Sequence, residues 1–128
     1  MADDLYIGLM SGTSLDSIDA ALVCLKDEKI ELIDFIEHPI PKQLRQLLID
    51  LCRPGHNEIE RMGIADRALG KEFAEATNSL LEKSGKIKTD IVAIGSHGQT
   101  IRHSPNGDYG YSLQIADPNT IAYETGIT

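Results

Sequence analysis

Tryptophan is absent from these 128 residues, and the aromatic complement is two Phe and four Tyr. Any core must therefore be aliphatic, which suits parallel or mixed sheets packed against helices. Clusters of Lys and Arg are also missing. With 12 basic and 20 acidic residues the net charge is −8, and a free-standing nucleic-acid binder would need a basic face. No stretch approaches the ~20 consecutive apolar residues that cross a bilayer. The start, "MADDLYIGLM", is acidic, and its apolar run is too short for a secretory leader. Cys24 and Cys52 lie inside apolar periodic segments without metal-ligand spacing, so they read as buried free thiols in a reducing compartment. Repeats, low-complexity segments and linkers are lacking too. The expectation is one cytoplasmic domain with no membrane and no nucleic-acid partner.

What the chain does contain is enough apolar material, 41 % of its residues, to bury roughly two-thirds of the unfolded surface. "LYIGLM", "SIDAALVCLKD" and "KIELIDFIE" read as three strands joined by short links, the second link being the charged "KDEK". Sequential strands on short links imply an antiparallel meander. "HPIP" then interrupts, and Pro41 suits the first position of a helix in which Leu44, Leu47, Leu48 and Leu51 recur at three-and-four spacing. Asn57 reads as the N-cap of a long amphipathic helix, with Glu60 at the capping-box position. Its stripe is Ile59, Met62, Ala65, Leu69, Phe73, Ala76 and Leu80, and it runs to about Lys83. Gly63 and Gly70 each cost that helix roughly 1 kcal/mol against Ala, which marks them as candidate points of close packing. "DIVAIG" is a short β-branched run expected to be a buried parallel strand. "SHGQTIRHSPNGDYG" reads as loop, "YSLQI" as strand, and "DPNTIAYETG" as a short helix begun near Pro118 and stopped at Gly126. The order is that of an α/β fold with a mixed sheet.

Two places concentrate chemistry. Ser11-Gly12-Thr13-Ser14 falls between the first two strands and offers hydroxyls and successive N–H groups, a nest for an anion. Gly12 can take positive φ and let a ligand come close. Asp16 or Asp19 can hold a metal ion through water. The same residue types also make up an ordinary polar hairpin tip, and no Gly-Lys-Ser/Thr follows to make a Walker loop. The second place is "IGSHGQTIRHSP", where a strand empties into Ser96-His97-Gly98-Gln99-Thr100. Ligands bind at such strand ends, and His97, Gln99 and Thr100 suit a sugar. Arg102 and His103 can meet a carboxylate or phosphate, or stand as surface residues. Ser14, His97 and an Asp do not make a triad on any sequence signature, since there is no G-x-S-x-G elbow.

Taken in order, "GLMSGTSLDSIDAAL", "AIGSHGQTIRHSP" and "LQIADPNTIAYETGIT" closely resemble the N-terminal part of anhydro-N-acetylmuramic acid kinases. The resemblance covers nearly the whole chain. It implies the ribonuclease-H-like domain of the actin/Hsp70/sugar-kinase superfold, with residues 1–128 as the first part of the first domain, incomplete. It implies that Gly12, Thr13, Ser14, Leu15, Asp16, Ser17, Ile18 and Asp19 form a loop facing the phosphates of ATP with Mg²⁺, no metal ligand being assigned directly. Ser11, His97, Gln99 and Thr100 would face an amino sugar. The implied reaction opens the 1,6-anhydro ring with water and phosphorylates O6, giving N-acetylmuramic acid 6-phosphate in peptidoglycan recycling. A homodimer of the complete protein is compatible with this.

Departures from the family pattern are Ser17, where Gly usually follows Leu-Asp, and Ala116, where Gly usually precedes Asp-Pro. The aspartate that would activate water is expected beyond Thr128, together with the second domain. The chain by itself is then expected to lack a catalytic residue and to act as a fragment of the enzyme. The alternative is a non-catalytic sugar- or phosphate-binding module.

Overall fold

Alternation of apolar and polar residues in the first third of the chain gives strands that bury one face. The structure, a computed structural model, describes residues 3–128. Its strands are β1 (Asp4–Ser11), β2 (Ser17–Lys26), β3 (Lys29–Pro39), β4 (Ile91–Ser96), β5 (Gln99–Ser104) and β6 (Tyr111–Ile115). The helices are α1 (Lys42–Leu51), α2 (Glu58–Ser84) and α3 (Pro118–Thr125), with a 3₁₀ turn at Lys88–Asp90. The main sheet runs β3-β2-β1-β4, antiparallel except that β4 lies parallel to β1. The β2–β3 hairpin closes through two residues, Asp27 and Glu28, both at positive φ, the type of turn whose twist matches the strands.

The core lies on one face of this sheet. Ile7 and Leu9 of β1 and Ile18, Ala20 and Leu22 of β2 are buried in one cluster with Leu44, Leu48 and Leu51 of α1 and Leu69, Phe73, Ala76 and Leu80 of α2. Helix α1 and α2 from Ala65 onward bury the stripe their spacing dictates, so the mixed-sheet α/β expectation stands. Ile59, expected in the stripe of α2, is instead 83% exposed, because the first turn of α2 projects beyond the sheet-facing core, and Met62 is half-buried. The opposite sheet face is largely bare: Ile30, Leu32 and Phe35 of β3 and Met10 of β1 are exposed. No helix among the described residues is long and apolar enough to cross a membrane.

Several expectations are corrected. "QTIRHS" is strand β5, paired antiparallel with β6 in a separate two-stranded sheet, because Gln99 and Ile101 alternate inward while His103 and Ser104 are exposed. Strand β4 buries only Ile91, since it stands at the edge of the sheet order. Cys24 is buried but Cys52 is exposed, because it falls just past the end of α1. Asn57 sits in the left-handed region at φ 52° and makes no side-chain cap, so the capping box with Glu60 does not form. Pro41 is the residue before α1 rather than its first residue. Gly70 does mark close packing: a Cβ there would lie 3.0 Å from the Asp117 carbonyl oxygen and 3.1 Å from Thr120 Cβ of α3. Gly63 does not, with nothing within 4 Å.

Ala116 turns the chain from β6 into α3 with φ at 111°, in the region that favours glycine. Its N–H is pinned to Asp66 Oδ1 at 2.9 Å and the next N–H, of Asp117, to the Asp66 carbonyl at 3.1 Å. The Asp117 carboxylate then caps α3, accepting from the backbone of Asn119 and Thr120. A side chain at such a φ costs about 1–3 kcal/mol. Ala116→Gly is therefore expected to raise stability by about 1 kcal/mol after the entropy of a glycine is counted, visible as a higher urea midpoint at unchanged slope. An unchanged or lower midpoint would show that the strain is relieved elsewhere.

Candidate functional site

Strand β1 ends at Ser11 and β2 begins at Ser17, so the first loop spans the sheet end between adjacent core strands. It closes as a turn, with the Leu15 N–H donating to the Gly12 carbonyl at 3.2 Å. The positive φ expected at Gly12 falls instead on Leu15, at 58°. Leu15 is also buried, so it plugs the loop into the core while the residues before it face out. A Cβ built on Gly12 meets nothing within 4 Å, which leaves open space against that stretch of backbone. Thr13, Ser14 and Asp16 are exposed. The Ser14 hydroxyl donates to Asp16 Oδ1 at 2.6 Å, and that bond holds the Asp16 carboxyl below its ordinary range.

Two braces fix this loop from outside. The Ile40 N–H, just past β3, donates to the Asp16 carbonyl at 3.0 Å. Arg45 of α1 reaches the Ser14 carbonyl with Nη2 at 3.2 Å. Sequence reasoning passed over Arg45. Its place one residue past Leu44, off the buried stripe, was the available sign.

The second loop leaves β4 beside the first because β4 is parallel to β1. The His97 N–H donates to the Leu9 carbonyl at 3.0 Å, extending the ladder. Gly98 follows with φ at 76°, and a Cβ there would lie 2.5 Å from the Ile115 carbonyl oxygen. The chain can turn into β5 only through a residue without a side chain. Both loops then border one cleft of about 340 Å³, walled by Met10, Ser11, Gly12, Thr13, Leu15, Cys52, His97, Gln99 and Thr100. Two stretches some eighty residues apart in sequence thus meet at one end of the sheet.

Within that wall the residues differ in what they can offer. The Ser11 hydroxyl donates to Gln99 Oε1, and both side chains are buried. The Gln99 amide also donates to the Thr100 carbonyl at 3.0 Å. These two groups therefore spend their polar atoms on tying the loops together. The Thr100 hydroxyl accepts from Gln114 Nε2 at 2.9 Å. His97 is exposed. Leu15 and Ile18 are core side chains, so only their backbone atoms can meet a ligand. Ser14, Asp16, Ser17 and Asp19 do not line the cleft, and Asp19 pairs with Met10 on the sheet face away from Ile18 and Ala20. Ser17 takes an ordinary strand position opposite Pro39 and is unstrained. Arg102 meets the Glu58 carboxylate and, through Nε at 3.3 Å, the Leu51 carbonyl. It fastens β5 to the helices and is not free for a ligand. His103 is exposed, away from the cleft wall. Cys52, expected in the core, is instead part of that wall. The Arg53-Pro54-Gly55 break that follows it was the sign that α1 had already ended.

Comparison with known proteins agrees with the motifs. The family model for anhydro-N-acetylmuramic acid kinase matches residues 4–128. The chain is 56% identical over 127 residues to the anhydro-N-acetylmuramic acid kinase of Shewanella halifaxensis, covering 99% of this chain and 34% of the relative. The proteins of the same name from Shewanella loihica and Shewanella woodyi are 56% and 54% identical over the same length and shares. The chain thus spans about a third of the length of the curated relatives it matches.

Proposed function

Since the chain belongs to the anhydro-N-acetylmuramic acid kinase family, we propose that its cleft serves an ATP-dependent kinase which opens 1,6-anhydro-N-acetylmuramic acid and phosphorylates O6. In that reaction a water oxygen bonds to the anomeric carbon as a base takes its proton, the bond from that carbon to O6 breaks, and O6 receives the γ-phosphoryl group as ADP leaves. The product is N-acetylmuramic acid 6-phosphate, which fits a role in peptidoglycan recycling. The observation that carries this reading is the cleft itself, which sets the hydroxyl-bearing loop at Gly12-Thr13 against His97 and Thr100.

Mg·ATP, when bound, supplies the phosphoryl group and much of the charge neutralisation. The residues present fit it at one point above all: the open space against the Gly12 backbone lets phosphate oxygens approach N–H groups without a side chain between. Thr13, exposed beside Gly12, donates its hydroxyl to a phosphate oxygen. Asp16, exposed on the same loop but outside the cleft wall and held below the ordinary carboxyl range by Ser14, would reach a divalent cation at the cleft only through water. His97 takes the sugar side, where its imidazole can donate to a hydroxyl or carboxylate of the substrate. The buried Ser11–Gln99 bond holds both sides at fixed spacing, and phosphoryl transfer depends mostly on such positioning.

A crossed pair of substitutions tests this, measured on the protein that carries these 128 residues. Thr13→Val is expected to weaken nucleotide affinity about tenfold or more, the usual worth of a hydrogen bond to a charged group, with little change in sugar affinity. His97→Ala is expected to do the reverse. If both variants leave nucleotide and sugar binding unchanged, the cleft is not the substrate site.

A further inference from the structure

Away from the cleft, β3 and α2 bring three potential ligands together. His38 Nε2 lies 2.7 Å from Glu72 Oε2 and 3.9 Å from Glu75 Oε2. The three ligand atoms all fall within 4.8 Å of one another. Glu72 and Glu75 stand three residues apart on α2, hence on the same face. His38 is the next-to-last residue of β3, opposite Ile18 in the ladder. Among the described residues the only ion-pair partner of either glutamate is His38, so two carboxylates converge on one imidazole with no Lys or Arg to balance them.

We propose that His38, Glu72 and Glu75 form a site for a first-row divalent transition cation such as Zn²⁺. One imidazole and two carboxylates are the donor set that suits such an ion, whereas Mg²⁺ prefers oxygen ligands alone. Ligand atoms about 2.0–2.2 Å from a tetrahedral ion stand roughly 3.4 Å apart. The His38–Glu72 pair is hydrogen-bonded at 2.7 Å, so a cation would replace that bond and part the two atoms by about 0.7 Å, while Glu75, at 3.9 Å from His38, would close in by about 0.5 Å. Glu75 is two-thirds exposed and free to swing in, while His38 and Glu72 are mostly covered and held by strand and helix. Three protein ligands leave a fourth position for water.

The site's effect follows from its place. Two residues beyond His38, the Ile40 N–H supports the Asp16 carbonyl of the first cleft loop. A cation joining β3 to α2 fixes the end of β3 and so stiffens that support. The role is structural and does not depend on the kinase reading.

The test is titration of the chelator-treated protein that carries these 128 residues with Zn²⁺, and with Co²⁺ as a visible-absorption probe, by calorimetry and by thermal melting. One equivalent is expected to bind and raise the melting temperature, with Mg²⁺ in excess failing to displace it. Glu75→Gln, too exposed to disturb folding, is expected to weaken binding tenfold or more, as loss of even an outer-shell partner does. His38→Ala is expected to abolish binding, and His56→Ala, at an exposed imidazole elsewhere, to leave it intact. Absence of binding, or equal affinity in Glu75→Gln and the parent chain, would overturn the site.

Discussion

Gly98→Ala is expected to lower the melting temperature by on the order of 10 °C and to open the cleft. The methyl group would lie 2.5 Å from the Ile115 carbonyl oxygen, and φ is already 76°. A backbone oxygen cannot move aside as a flexible side chain would. Left-handed backbone costs a side-chain-bearing residue about 1–2 kcal/mol, and overpacking adds about 1–3 kcal/mol. A total near 2–5 kcal/mol corresponds to that shift at a few degrees per kcal/mol. The damage is local in origin. Ile115 pairs with Gln99, and Gln99 holds Ser11, so displacing Ile115 loosens the bond between the two loops. Gly95→Ala is the control, because nothing lies within 4 Å of its added Cβ and its φ is ordinary. It should melt within about 0.5 kcal/mol of the parent. Equal melting of the two variants would mean that β5 can shift its register to accommodate the methyl group.

The second large effect is at Leu15, and its signature is an inverted order of substitutions. Leu15→Ala removes a buried side chain and is expected to cost about 2–4 kcal/mol. Leu15→Gly removes one carbon more, yet it relieves a left-handed φ of 58°, worth about 1–2 kcal/mol. That gain offsets the glycine's greater unfolded freedom, about 0.5–1 kcal/mol. The glycine variant should therefore be at least as stable as the alanine variant. In an ordinary core position it would be clearly worse. Denaturant midpoints at matched slopes decide it, and a glycine variant less stable by 1 kcal/mol or more would place the loop in a different conformation.

Much of this was legible in the sequence because it rested on periodicity. The stripe of α1, that of α2 from Ala65 onward and the alternation in β2 identify the buried faces before any coordinates, whereas Ile59 fits the spacing yet is exposed, because periodicity does not tell where the core ends along a helix. The two polar loops were legible for a related reason, since polar residues abruptly ending apolar runs mark a sheet edge. What escaped was set by contacts distant in the chain. Strand β5 shows no apolar alternation because one of its two inward residues is polar: Gln99 is buried beside Ile101 only by virtue of its bond to Ser11, 88 residues earlier. The strain at Ala116 arises from Asp66, fifty residues earlier. The division of labour among Ser11, Gln99 and His97 was equally invisible: all three are polar and adjacent to the cleft, but burial turns two of them into struts. Asn57 shows a local limit as well. A residue that makes good caps also tolerates left-handed backbone, and here it does the second.

The parallel pairing of β1 with β4 has a kinetic consequence. The β1–β2 and β2–β3 hairpins join neighbours in sequence and can form as soon as they collapse. Leu5 reaches Ile91 only across both long helices, and pairings of such high contact order are slow. The cleft needs β4 in place, because His97 is set by Leu9. The cleft is therefore expected to assemble late in folding. A ligand that bridges the two loops acts on this late step, so it should slow amide hydrogen exchange in β4 more than in the β2–β3 hairpin.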